Sequence, residues 1–195
     1  MQTHYEIIEQ LMKEYQSTLT DQKNLFDLYP LYKASKAMRK AKVFDLYTSA
    51  GNLGFFKNFQ FQLQEIGTDV YMAENDYEQI LMAASSNQDH LTFVLSMEGR
   101  GMNIQKIAYA LKQSNTPVIL LSSPKCKSNF SNVKAHLWIG DDEHHYRKIS
   151  AFATRLRILY ARCPLRDLLP NGSRKQSQKE VFILSPNQSF NRRLK

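Results

Sequence analysis

The chain is short of cysteine, glycine, proline and negative charge, and each shortage excludes something. Two cysteines, Cys126 and Cys163, cannot build a disulfide framework. They read as reduced thiols of a cytoplasmic protein. Seven glycines and six prolines among 195 residues exclude a fibrous or low-complexity chain. No run approaches the roughly 18 uninterrupted apolar residues of a membrane span. The opening MQTHYEIIEQLMKEYQ is charged throughout and lacks the apolar core of a signal peptide. No membrane partner is expected. Asp plus Glu number 18 against 26 Lys plus Arg, a net charge of +8. Most of that excess sits at one end. Residues 171–195 hold Arg174, Lys175, Lys179, Arg192, Arg193 and Lys195 against Glu180 alone. Residues 166–195 therefore read as a basic, solvated tail, with contact to nucleic acid or an acidic partner as the alternative.

What is present is a core. Hydrophobic residues make up 43% of the chain, enough for one folded domain at this length. Residues 1–42 read as helices. Ile7, Ile8, Leu11, Met12 and Tyr15 form one apolar stripe at helical spacing. Thr20-Asp21 reads as a break with a new N-cap. Leu25, Phe26 and Leu28 carry the apolar face on. Pro30 suits the first turn of a further helix reaching about Lys42.

From residue 43 the pattern changes to strands alternating with helices. The expected strands are Val43–Tyr47, Asp69–Met72, Leu91–Leu95, Pro117–Leu121 and Leu137–Ile139. The expected helices are Leu53–Ile66, ended by Gly67, then Asp76–Ser85, Ile104–Gln113 and Tyr146–Ala161. This alternation predicts βαβ units and a three-layer αβα fold. Its five-stranded parallel, flavodoxin-like sheet has order 2-1-3-4-5, with extra N-terminal helices. In that order the switch point lies between strands one and three, where ligands bind outside the carboxyl ends. Two loops are thereby nominated: Thr48-Ser49-Ala50-Gly51-Asn52 and the segment Ser96–Asn103.

Both loops are small-residue segments leading into helices. Helix N-termini carry free N–H groups and the positive end of the dipole. Glycine permits close approach and Ser or Thr adds a hydroxyl, so the combination suits a phosphate. The dinucleotide GxGxxG and the P-loop GxxxxGK[ST] are both missing. As a bare turn and helix cap, Gly99, Gly101 and Asn103 would need no ligand.

These pieces together resemble the sugar isomerase (SIS) domain in the form carried by RpiR-type bacterial transcription regulators. The resemblance runs from about Met38 to Ala161. It rests on the first strand and turn, on QLQEIGTDVYMAEND, on VLSMEGRGMNIQKIAYALKQSNTPVILLSS, on LWIG and on ISAFATRLRILYA. It implies an N-terminal linker and dimerisation helices over 1–42, a SIS domain over 43–165 and a tail over 166–195. It implies a sugar phosphate or amino-sugar derivative as ligand, held by Thr48, Ser49, Gly51, Asn52, Ser96, Glu98, Gly99, Arg100, Gly101 and Ser122. The family's first turn is usually Gly-x-Gly-x-Ser and its second Ser-x-Ser-Gly-x-Thr. Here Ser96 and Gly99 keep their places, Glu98 replaces the second serine and Gly101 the threonine. The threonine usual at the end of the fourth strand becomes Ser122.

The resemblance further implies a homodimer or higher homo-oligomer, and contact with DNA only through a helix-turn-helix domain. Residues 1–42 are too few to hold one, so the chain is expected to be the effector domain of a longer regulator, or a regulator without its reader. No Glu-His pair stands beside the two loops, and no catalytic residue, metal or cofactor is expected. The chain is expected not to be an enzyme. His144-His145 follow Asp141-Asp142-Glu143, where the acids suit a helix N-terminus better than a metal suits neighbours on different helix faces. Cys126, between two lysines, reads as a surface thiol. The alternatives are a free-standing SIS sugar-phosphate isomerase and a ligand-free dimerisation domain.

Overall fold

Helix and strand boundaries follow local chemistry along most of the chain. A computed structural model describes residues 4–25, 27–127 and 129–139. Helix α1 spans His4–Asn24 and does not break at Thr20. The Thr20 hydroxyl donates to the Gln16 carbonyl at 2.9 Å, one turn back, so the residue stays within the helix instead of capping a new one. The cap belongs to Asp27, whose carboxylate accepts the Tyr29 N–H at 2.9 Å and opens α2, Leu28–Met38. Pro30 lies in that first turn, where it forfeits no helical hydrogen bond.

Strand β1, Val43–Thr48, is followed by a 3₁₀ turn at Ala50–Asn52 and by α3, Leu53–Glu65. Gly67 ends that segment at φ +77°, a left-handed conformation that favours glycine. Then come β2, Asp69–Met72, and α4, Asp76–Ser85, capped by Asn75 through the Glu78 N–H at 2.9 Å. The remaining elements are β3, His90–Leu95; α5, Met102–Gln113; β4, Val118–Ser122; and β5, Val133–Trp138. Strand β5 starts four residues before the expected Leu137, and Ile139 lies just beyond it. The cause is its edge position: its residues alternate in burial, so no continuous apolar run announces it.

The expected topology is present. The described sheet has five parallel strands in the order β2-β1-β3-β4-β5. One layer packs α2 and α3 on the sheet through Leu31, Met38, Phe56, Phe59 and Leu63, against Phe44, Leu46 and Phe93. Phe59 meets Phe93 edge-on at 5.1 Å between ring centres. The other layer packs α4 and α5 through Ala83, Ile104, Ile107 and Leu111, against Tyr47, Val94, Val118 and Leu120. Each of these larger apolar side chains contributes about 1.5–3 kcal/mol by leaving water.

The second layer also contains buried polar groups. Asp45 is fully buried. Its Oδ2 accepts a hydrogen bond from the Ser86 hydroxyl and lies 2.8 Å from His90 Nδ1. The Tyr47 hydroxyl sits 3.2 Å from the same serine oxygen. Burial, reinforced by the Asp45 carboxylate, pushes the Tyr47 phenol above its ordinary pKa.

The helix expected over Tyr146–Ala161, its capping acids Asp141 and Asp142, His144-His145, Cys163, the tail 166–195 and Phe26 lie outside the described residues. No described helix is long and apolar enough to cross a membrane.

Candidate functional site

Parallel pairing puts the two nominated loops side by side. Strands β1 and β3 are neighbours, and their last residues, Thr48 and Leu95, are register partners. The Thr48 hydroxyl donates to the Leu95 carbonyl at 3.0 Å, which joins the strand ends where the loops depart. One loop then enters α3 and the other α5.

The N-termini of those two helices differ from those of α2 and α4. Helices α2 and α4 have side-chain caps, Asp27 and Asn75. Helix α3 begins at Asn52 and α5 at Gly101 with no side-chain cap. The two helices whose N-termini face the switch point thus lack the side-chain acceptor that α2 and α4 have. Their first-turn N–H groups and dipoles offer an anion what Asp27 and Asn75 offer elsewhere.

The candidate residues divide by what their side chains do. Ser49 and Asn52 bond each other, Asn52 Nδ2 donating to Ser49 Oγ at 3.3 Å. Gly51 is exposed, and a Cβ there would meet nothing within 4 Å. The Ser96 hydroxyl accepts the Gly99 N–H at 3.1 Å and shapes the loop's own turn. Gly99 closes that turn at φ +70°, a conformation L side chains adopt at a cost. Glu98 is turned toward Arg100. Its side chain is half exposed and its Oε2 lies 3.7 Å from Arg100 Nε, also exposed. Such a surface pair contributes about 0–1 kcal/mol. Gly101 opens α5 in an extended conformation open to any residue.

Ser122 ends β4, the neighbour of β3, and is fully buried. Its hydroxyl lies 2.6 Å from His136 Nε2 and 3.2 Å from the Ser123 carbonyl. His136 stacks on Trp138 with ring centres 3.7 Å apart. Burial lowers the His136 pKa from its ordinary value, so the imidazole is neutral at neutral pH. Ser123, next along, ties its N–H and hydroxyl to the Met97 carbonyl at 3.1 and 2.8 Å. The Lys127 N–H reaches the Glu98 carbonyl at 3.2 Å. The segment after β4 therefore holds the 96–101 loop from one side.

Three supports were not visible in sequence. Gln79 of α4 grips the Thr48 backbone, Ser123 anchors Met97, and His136 meets Ser122. Each depends on a contact between 14 and 31 residues apart. Only the apolar context of a buried glutamine hinted at the first. Among the described residues no cluster of three His, Cys, Asp or Glu is placed to hold a metal ion.

The sequence matches no family model and no curated protein. The fold has clear likenesses among solved structures. The Vibrio vulnificus NanR protein, complexed with ManNAc-6P, is 18% identical with a TM-score of 0.71, over 93% of this chain and 70% of that one. The phosphoheptose isomerase GmhA from Neisseria gonorrhoeae is 11% identical with a TM-score of 0.65, over 80% of this chain and 97% of that one. The sugar isomerase domain of an RpiR transcription factor from Sphaerobacter thermophilus is 15% identical with a TM-score of 0.62, over 90% and 97%. The chain thus has the SIS fold. The likeness to isomerases corrects one expectation. Non-enzymatic status was inferred from the loops alone, and the same fold occurs in enzymes, so that inference does not stand.

Proposed function

We propose that this chain binds a phosphorylated sugar or amino-sugar derivative at the loops that follow β1 and β3. On this reading it is the effector-sensing domain of an RpiR-type transcription regulator in the cytoplasm, whose DNA contact is made by a helix-turn-helix domain. One observation carries the binding reading: two helices without side-chain caps start from register-paired strand ends. A phosphate placed between them would accept N–H bonds from both N-termini. Ser49, Gly51, Asn52, Gly99 and Gly101 would form the cradle. Thr48 and Ser96 would shape it, since their hydroxyls are committed to Leu95 and Gly99. Arg100 would add charge at the rim. Ser122 would act through the support it shares with His136. The regulator reading draws on the likeness to NanR in its ManNAc-6P complex and to the RpiR sugar isomerase domain.

A second reading, a sugar-phosphate isomerase, is favoured by the Ser122–His136 pair. A neutral imidazole near the carboxyl end of the sheet is a competent proton acceptor. Isomerising a sugar phosphate requires a proton to move between adjacent carbons.

The testing variant is Gly101→Asp. A carboxylate at that N-cap would occupy the α5 N–H groups itself. Calorimetric titration with a panel of phosphorylated hexoses and amino sugars should show binding to the native chain and none to the variant. Helix capping and dipole together should leave the variant about 0.5 kcal/mol more stable. Binding that survives Gly101→Asp would overturn the assignment of the anion to this loop. Turnover of any panel member, abolished by His136→Gln, would favour the isomerase reading.

A further inference from the structure

The crossover from β4 to β5 differs from the earlier ones. Those carry α3, α4 and α5, as parallel connections usually do. Residues 123–132 make this one, and their described part forms no helix. It runs as a strap that is held at both ends. The Ser123 and Lys127 N–H groups donate to the Met97 and Glu98 carbonyls at 3.1 and 3.2 Å. Asn132 Nδ2 donates to the Asn115 carbonyl at 2.6 Å.

Between this strap and α5 lies a cavity of about 620 Å³, the size of a small-molecule site. Gln105, Tyr109 and Lys112 line it from α5, at the spacing of one helix face. Lys127, Asn129 and Ser131 line it from the strap. The buried Ile104 and Ala108 and the partly buried Phe130 give it an apolar wall.

Charge and chemistry select what fits there. Two ammonium groups line the cavity and, among the described residues, no carboxylate does. Among those residues neither Lys112 nor Lys127 forms an ion pair. Glu98, beside Gly99 in the wall, is turned to Arg100. Residues 140–195 hold twelve Lys and Arg against five Asp and Glu, so that segment adds positive charge and not the missing negative one. An anion from outside the chain matches the two ammonium groups. Tyr109, 67% exposed, presents a ring on which a planar group can stack. The Asn129 amide and the Ser131 hydroxyl offer donors and acceptors to the edge of such a group.

We propose that this cavity is a second ligand site, which takes a nucleoside monophosphate. Its base stacks on Tyr109, and its phosphate meets Lys112 and Lys127. Gly99 is the one candidate residue of the sugar-phosphate cradle that also lines this cavity. The site therefore stands without the sugar-phosphate reading, and either can fail while the other holds.

Calorimetric titration of the full chain with adenosine monophosphate, adenosine and inorganic phosphate is the test. The monophosphate should bind about tenfold more tightly than either part alone. Lys112→Gln should weaken it by about fivefold and Tyr109→Ala by about tenfold. Both side chains are exposed, so both variants should melt as the native chain does. Lys112→Gln should leave titration with phosphorylated hexoses and amino sugars as it was. Amide resonances that move on adding adenosine monophosphate should gather at residues 105–112 and 127–131. Shifts gathered at residues 49–52 instead, or displacement of the nucleotide by a sugar phosphate, would place it in the cradle and overturn the proposal. No binding would overturn it too, as would an affinity that both variants leave unchanged or that inorganic phosphate alone reproduces.

Discussion

Gln79 holds Thr48 by both sides of its backbone. Its Oε1 accepts the Thr48 N–H at 3.3 Å and its Nε2 donates to the Thr48 carbonyl at 3.0 Å. Gln79 itself is 1% exposed. Helix α4 thereby fixes the last residue of β1 at the point where the first candidate loop begins.

Gln79→Leu should therefore damage both the fold and the site. It keeps the volume but leaves the Thr48 amide and carbonyl buried without their partners. Urea unfolding should show a loss of about 1–3 kcal/mol. Gln79→Glu should be worse at neutral pH, because the carboxylate cannot donate to the Thr48 carbonyl. If Gln79→Leu leaves stability unchanged, the glutamine does not carry this contact.

Glu98→Ser should improve phosphosugar binding only modestly. At an effective dielectric of 20, a carboxylate 4 Å from a unit charge would cost about 4 kcal/mol, but near water the cost falls to about 1 kcal/mol. The Glu98 side chain is half exposed and turned to Arg100, so the lower figure applies. Calorimetry should report a gain of about fivefold. A gain of a hundredfold would mean that Glu98 faces the anion.

His136 should leave its mark on stability in mild acid. Its pKa is lowered in the folded chain, so the unfolded chain binds the proton more readily. Stability from this group is fully present above about pH 6.5 and is lost as the pH falls from there toward the folded pKa. Thermal melts between neutral pH and pH 5 should fall less steeply for His136→Gln than for the native chain. Nuclear magnetic resonance should place the His136 titration below that of an unstructured histidine.

Tyr47 should resist ionisation in alkali. Its pKa is raised by burial and by Asp45, so the stability it gives is intact below about pH 10 and is lost as the pH rises through the folded value. Ultraviolet titration should show one tyrosine ionising only as the chain unfolds. Tyr47→Phe should remove that late step. A Tyr47 that titrates with the exposed tyrosines would contradict the burial.

Where the signal is local, sequence and structure coincide. Asp69–Met72 and Asp76–Ser85 are read to the residue because a turn and an N-cap bracket them. The doubly buried strands β3 and β4 announce themselves as apolar runs. Thr20 misleads, since a hydroxyl that bonds back to Gln16 looks in sequence like a cap. Strand β5 is understated, since Val133 and Lys134 are exposed at the sheet edge. The loops of the candidate site were legible because topology puts them at the switch point. The supports of those loops were not, because Gln79, Ser123 and His136 act across the fold. The pairing of Glu98 with Arg100 was hidden as well, since a residue type does not state a rotamer.

The position of Asp45 has a consequence for assembly of the sheet. Phe44 and Leu46 face the aromatic layer of Phe59 and Phe93, while Asp45 between them faces Ser86 and His90. Sliding β1 by one residue would exchange these faces. The carboxylate would then enter the aromatic layer with neither hydroxyl nor imidazole to meet it, and an unpaired buried charge costs more than the displaced phenylalanine could recover. A misaligned sheet is therefore penalised twice, by shape and by charge. Chains that pair β1 wrongly should be driven back to the unfolded pool, and Asp45→Leu should release that proofreading, giving a protein prone to mispairing and aggregation on refolding.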